Sequence, residues 1–163
     1  MDHITSALIH ASRTGDLPLL KEIIGMKVTL EVRDDKGYTP LIIASYNHQL
    51  EAARLLLQSE ADVNGVDIGG NTALMGVCFK GYADIAELLM AYQADLNLLN
   101  ANGGTALMFA TMFGRNELIY LLLQHGADLT IKDNRGMDAL DLAVQQGNEK
   151  GFQLLKKHQL INQ

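Results

Sequence analysis

The feature that most constrains the fold is a sequence period of 33 residues that runs through the chain without an insertion. Three segments that align at this spacing begin at Thr39, Thr72 and Thr105. One further step in each direction gives two more copies, at residues 6–8 and 138–140. A fixed period of this length indicates a solenoid, in which a unit buries its apolar face only by stacking on its neighbours.

Other residue types recur in the same register and predict the layout of each unit. An Asp or Asn, a Gly and a Leu keep fixed columns, at Asp34, Asp67, Asn100 and Asp133, at Gly37, Gly70, Gly103 and Gly136, and at Leu56, Leu89, Leu122 and Leu155. The pattern predicts two helices in each unit, since a hydroxyl or carboxyl group in the Thr column can cap the first helix. The expected capping residues are Ser6, Thr39, Thr72, Thr105 and Asp138.

Glycines are expected to end the first helices, because glycine adopts the left-handed conformation without strain. They stand at Gly15, Gly81, Gly114 and Gly147, whereas the second unit has His48 in this column. In a second glycine column, Glu60 and Gln93 replace glycine. If these non-glycine residues are left-handed, each costs roughly 1 kcal/mol or more.

These residues resemble the ankyrin repeat, whose pattern is roughly D-x-x-G-x-T-P-L-x-x-A, followed by G, by L-L-L and by G-A-D. The resemblance covers the chain as one domain of five units, approximately 1–33, 34–66, 67–99, 100–132 and 133–163. It implies an all-α solenoid of stacked helix-turn-helix units with projecting hairpin loops, whose first and last units are caps. The His that follows T-P-L in the family is absent, so we expect a natural array of moderate stability.

Charge and cysteine content narrow the class of partner and the compartment. The chain has 19 acidic and 13 basic residues, a net charge of −6, and no basic run that would attract nucleic acid. Its single cysteine, Cys78, excludes an intrachain disulfide and fits a reducing compartment. Neither a signal peptide nor an apolar stretch of membrane-spanning length is evident. The sequence therefore predicts a cytoplasmic monomer that binds no membrane.

Reactive constellations are not evident in the sequence. It contains neither of the glycine-rich phosphate-binding motifs, and its five histidines are scattered without zinc-ligand spacing. Cys78 has no activating His or acid nearby in sequence, which favours a packing role. The repeated Asp residues are expected to bond loop amides and fix the turns. We expect no enzyme activity, cofactor or metal.

The resemblance implies that a partner is bound on a concave surface formed by the first helices and the hairpin tips. Its contact columns correspond here to Tyr38, Tyr46, Asn47, Ile68, Asn71, Phe79, Lys80, Asn102, Met112, Phe113, Arg135 and Met137. Aromatic and Met side chains are enriched at the energetic centres of interfaces, and Tyr46, Phe79 and Met112 occupy equivalent positions. Ile68 and Met137 are expected to be exposed at hairpin tips.

Two questions stay open at the level of sequence. The row of Tyr46, Phe79 and Met112 either contacts a partner or folds back to complete the stack. The leading function is a protein-binding module that acts as a scaffold, an inhibitor or a stabilising accessory protein. The alternatives are a structural element that self-assembles into homo-oligomers and, more remotely, a small-molecule binder or an enzyme.

Overall fold

The computed structural model describes residues 1–162, and ten α-helices lie within them as five consecutive pairs. Their bounds are α1 (His3–Thr14), α2 (Leu17–Gly25), α3 (Pro40–Tyr46), α4 (Leu50–Gln58), α5 (Ala73–Lys80), α6 (Ala83–Ala91), α7 (Ala106–Met112), α8 (Asn116–Gln124), α9 (Ala139–Gln145) and α10 (Glu149–Ile161). Over this range the β-structure consists of one isolated bridge, between Val66 and Thr72. The predicted all-α class is confirmed.

The helices form two layers because each one packs on its counterpart in the next pair. The first helices α1, α3, α5, α7 and α9 contact one another in chain order, and the second helices do the same. Each first helix also packs on the second helix of its own pair. One continuous apolar core runs between the layers, and Leu56, Leu89, Leu122 and Leu155 are each 0% exposed within it. The stack therefore has the one-dimensional form expected from the period.

Side-chain caps start the first helices where the Thr column predicted them, with one exception. Thr39, Thr72 and Thr105 each accept a hydrogen bond from the amide three residues ahead, and Asp138 does the same. The expectation for Ser6 was wrong, because α1 begins at His3, four residues before the start that a cap at Ser6 would give. Asp2 caps this helix instead, since its Oδ1 accepts a hydrogen bond from the Thr5 amide at 2.7 Å.

Left-handed residues end the helices, as the glycine columns predicted. Gly15 and Gly81 have φ of 73° and 86°. Glu60 and Gln93 are also left-handed, with φ of 70° and 66°, and Lys27 has a φ of 57° in the same column of the first unit. These three non-glycine residues carry a backbone cost that a glycine would not.

His48 is left-handed too, but the next repeat compensates for its strain. Its φ is 57°, and its ring stacks on that of Tyr82, with centroids 4.0 Å apart and planes 4° apart. Its Nε2 also lies 3.0 Å from both carboxylate oxygens of Asp84. The imidazole thus joins the turn after α3 to the start of α6, which a glycine at this position would not do.

Candidate functional site

An aromatic row crosses the surface formed by the first helices, because the end of each first helix presents a side chain to the next. Tyr46 ends α3 and stacks on Phe79 of α5, with ring centroids 6.2 Å apart and planes 5° apart. Phe79 in turn meets Phe113, just after α7, edge to face at 4.6 Å. Tyr46 and Phe113 remain 42% and 43% exposed. The rings of the row therefore contact one another and are still open to solvent.

A cation lies over this row. The Nζ atom of Lys80 is 4.8 Å from the centroid of the Tyr46 ring, a geometry in which the ring face attracts the ammonium group. Three ion pairs of Arg with Asp or Glu and one contact between His48 and Asp84 form within residues 1–162, and none of the four involves Lys80 or Lys36. The Lys80 ammonium group thus lies against the ring without an ion-pair partner among the described residues.

A groove of about 780 Å³ lies beside the row, between the first helices and the hairpins that precede them. Its apolar lining comes from α1, α3, α5 and α7, as Ile9, Ile42, Ile43, Tyr46, Met75, Phe79 and Phe109. Its hairpin side is polar and includes Asp34, Lys36, Tyr38 and Asn71. An apolar floor beside polar groups is the composition typical of binding sites.

Gly76 lies in the floor of this groove and lacks the side chain that its column otherwise carries. The equivalent residues in the neighbouring helices are Ile43 and Phe109, which also line the groove. Among residues 1–162, and apart from the backbone of its own helix, a Cβ atom at Gly76 would meet only Tyr46 Cδ2 within 4 Å, at 3.4 Å. Gly76 was not among the residues predicted from the sequence, because a mid-helix glycine carries no binding chemistry. Its departure from the column was the available signal.

The repeated Asp residues fix the hairpins, as predicted. Asp34 Oδ1 accepts hydrogen bonds from the amides of Lys36 and Tyr38, both at 2.9 Å, and its other oxygen lies 3.7 Å from Arg13 Nη2. Asp67 Oδ1 accepts from the amide of Asn71 at 2.8 Å. These carboxylates are largely used inside the protein and have little capacity left for a partner.

Asp133 plays the same part in the last hairpin. Desolvation raises its pKa, but hydrogen bonds from the amides of Met137 and Arg135 and from the Arg135 side chain outweigh it. The pKa of this carboxyl therefore lies below its ordinary value. Its Oδ2 is 3.0 Å from Arg135 Nη2, so the candidate Arg135 is paired within the chain.

Hydrogen bonds join the three hairpins that precede α5, α7 and α9. The amide of Ala101 donates to the Gly69 carbonyl at 2.9 Å, and the amide of Asn134 donates to the Asn102 carbonyl at 3.0 Å. Asn71 accepts a hydrogen bond from the Asn100 side chain at 2.9 Å. Of these residues Asn71 lines the groove, so this part of the polar side is organised before a partner arrives, which lowers the entropic cost of binding.

The structure brings together only part of the predicted set. Tyr38, Tyr46, Asn47, Asn71 and Phe79 line the groove. Beside them, Lys80 covers Tyr46 and Phe113 contacts Phe79.

The other predicted residues do not line the groove. Ile68 is 82% exposed at its hairpin tip, as expected. Met137 is not an exposed tip, because it is half-buried and its amide is bonded to Asp133. Met112 is half-buried, and Phe113 extends the aromatic row in its place. Asn102 and Arg135 are exposed on the later hairpins.

Cys78 is a packing residue in the core. Its side chain is 0% exposed, and burial raises the pKa of its thiol well above the usual range. Within residues 1–162, no three His, Cys, Asp or Glu side chains cluster as metal ligands would. No helix in the same range has both the length and the apolar character needed to cross a membrane.

Stacked helix pairs with projecting hairpins define a solenoid repeat protein. The family model for ankyrin repeats in three copies matches residues 8–100 and residues 74–163, so this chain belongs to the ankyrin repeat family. Ankyrin repeats are generally protein–protein interaction modules and are typically non-catalytic.

One curated relative is the potassium channel AKT2/3 of Arabidopsis thaliana. It is 32% identical to this chain over 69 residues, which is 42% of this chain and 9% of the channel. The similarity therefore concerns a small part of the channel.

Proposed function

We propose that this protein is a non-catalytic module that binds a partner protein through the groove and the hairpins beside it. By occupying the partner's surface it acts as a scaffold, an inhibitor or a stabilising accessory protein. The observation that carries the proposal is the row of Tyr46, Phe79 and Phe113, which stays open to solvent although its rings contact one another. Packing alone does not require such exposure.

The chemistry of the row suits a protein interface. Aromatic side chains supply a large contact area at a low cost in conformational entropy, and a central one is worth about 2 kcal/mol or more on truncation. The polar hairpins beside the row correspond to the polar rim that surrounds the apolar centre of a typical interface.

Replacing Tyr46 and Phe79 together with alanine is expected to weaken partner binding at least about 30-fold, the equivalent of roughly 2 kcal/mol. The fold should survive, because Tyr46 is 42% exposed and Phe79 is only partly buried. Capture of partners from native lysate, quantified by mass spectrometry, measures the loss, and thermal melts followed by circular dichroism test the fold.

The matched control replaces Tyr92 and Tyr120, two exposed aromatic residues in and after the second helices, with alanine. This variant should capture the same partners as the unmodified protein. Equal binding by the Tyr46/Phe79 variant and the unmodified protein would refute the proposal. A melting temperature low enough to unfold the Tyr46/Phe79 variant would assign the row to the core.

The remaining expectations about partner and compartment are part of the proposal. Protein is favoured over nucleic acid as the partner, because a net charge of −6 opposes attraction to phosphates. A single buried cysteine is consistent with a cytoplasmic location. We propose a monomer that works in complex with its partner.

Self-assembly is the second candidate, and one observation favours it. Val144 is 67% exposed on α9, whereas the equivalent Ser12, Ser45, Cys78 and Thr111 are each 0% exposed beneath the next helix pair. Light scattering across a concentration series separates the two candidates. We expect a constant monomer mass. A mass that rises with concentration and is restored to that of a monomer by Val144→Lys would favour self-assembly.

A further inference from the structure

Gly76 has no conformational reason to be glycine. It lies inside α5 and is absent from the residues with positive φ, so any residue can adopt its backbone conformation. A glycine inside a helix is less favourable than alanine, because it loses more backbone freedom on folding. Gly76 therefore makes α5 less stable, and the backbone conformation at this position does not require a glycine.

Packing does not require glycine at this position either. In the described part of the chain, the one neighbour outside its own helix backbone that a Cβ atom would meet is Tyr46 Cδ2, at an ordinary contact distance of 3.4 Å. The equivalent Phe109 carries a large apolar side chain from the same position of its helix. What the glycine provides is space in the floor of the groove, beside Tyr46 and Phe79.

The charged groups around this space favour an acidic residue next to a side chain inserted there. The groove carboxylates Asp34 and Asp67 are used to hold hairpin amides, and Asp35 stands on the hairpin beside Lys36. On the other side, Lys80 lies over the Tyr46 ring, and no carboxylate in residues 1–162 comes within 4.0 Å of it. Tyr46 Cδ2, on the edge of the ring, is the atom nearest to a Cβ at Gly76, and Lys80 lies over the plane of the same ring. The space at Gly76 and the Lys80 ammonium group therefore both adjoin Tyr46.

We infer that the groove binds a short segment of the partner protein by inserting one bulky apolar side chain over Gly76 while a neighbouring Asp or Glu pairs with Lys80. This inference rests on the proposed function and specifies the chemistry of its partner. Gly76 and Lys80 are four residues apart in α5, about 6 Å along the helix axis. The acidic residue therefore lies within about three positions of the apolar one, since an extended chain rises about 3.3 Å per residue. The groove is lined by four successive first helices, which suits an extended segment.

A displayed library of random 12-residue peptides, selected against the immobilised protein, tests this inference. Enriched peptides should carry Leu, Ile, Met or Phe with Asp or Glu within three residues. Gly76→Phe should weaken their binding at least tenfold by filling the space, whereas Gly76→Ala should change it less than threefold. Gly76→Leu provides a second block, since Leu142 occupies the equivalent position in α9. Lys80→Glu should shift the selection towards peptides with Lys or Arg.

The outcomes separate this inference from the function on which it rests. If peptides bind the Gly76→Phe variant as tightly as the unmodified protein but lose binding to the Tyr46/Phe79 variant, the inference fails while the groove remains the proposed binding site. If neither variant changes peptide binding, the proposal that the groove is the binding site fails as well. A selection that yields no peptide, or one that enriches basic residues on unmodified protein, overturns the inference.

Discussion

Replacing Leu89 with alanine is expected to lower the free energy of unfolding by about 3 kcal/mol, the typical cost of a large-to-small change in a packed core. Leu89 is 0% exposed and belongs to the Leu column that runs through the middle of the stack. Its helix, α6, contacts α5 of its own pair and the second helices on both sides. The substitution therefore leaves a cavity in the middle of the stack, where the apolar core is continuous between repeats.

Urea denaturation followed by circular dichroism measures this loss. Because each pair is stabilised by its neighbours, a weak centre should also broaden the transition as the two ends lose their coupling. Leu99→Ala is the matched control, since Leu99 is 52% exposed, and it should change stability by less than about 0.5 kcal/mol. Similar losses for both variants would contradict a core centred on the Leu column.

Replacing Lys27, Glu60 and Gln93 together with glycine is expected to raise the free energy of unfolding by about 2 kcal/mol. Their φ values of 57°, 70° and 66° lie in the region that costs an ordinary residue about 1–2 kcal/mol. Glycine removes this strain but loses roughly 0.5–1 kcal/mol of backbone entropy, which leaves a modest gain at each site. His48 is excluded because its ring stacks on Tyr82.

The converse variant, Gly126→Gln, isolates the same effect. Gly126 holds the equivalent position with a φ of 89°, and a Cβ atom there would meet no atom of residues 1–162 within 4 Å, its chain neighbours apart. Any loss of stability then comes from the backbone rather than from a clash, and we expect roughly 1 kcal/mol. If the triple glycine variant unfolded at the same urea concentration as the unmodified protein, the inference that these three residues are strained would be contradicted.

The period and the caps made most of this fold predictable from sequence, because each unit repeats the same local solution. Thr39, Thr72 and Thr105 cap helices through contacts that span three residues, so sequence alone specifies them. Ser6 failed because the repeat register was extended to a unit in which a different residue, Asp2, supplies the cap. In this first unit the cap that Asp2 provides, and not the repeat register, sets where the helix begins.

The site was less predictable, because it depends on where side chains lean between repeats. Register placed Tyr46, Phe79 and Met112 in one column, yet the ring that completes the row is Phe113, one position further on. Phe113 is the residue after α7, and its direction depends on how that helix ends. The groove floor at Gly76 is likewise formed by three helices together: the column shows that a side chain is missing there, but not that a groove surrounds the position.

The most direct test of the central claim is amide hydrogen exchange of the protein, alone and in complex with a partner captured from lysate. If the groove is the binding site, amides of α3, α5 and the two hairpins that precede them should exchange more slowly in the complex. Amides of α4, α6 and α8 should be unchanged, because these helices form the other layer. Protection confined to that second layer, with the groove unaffected, would contradict the account.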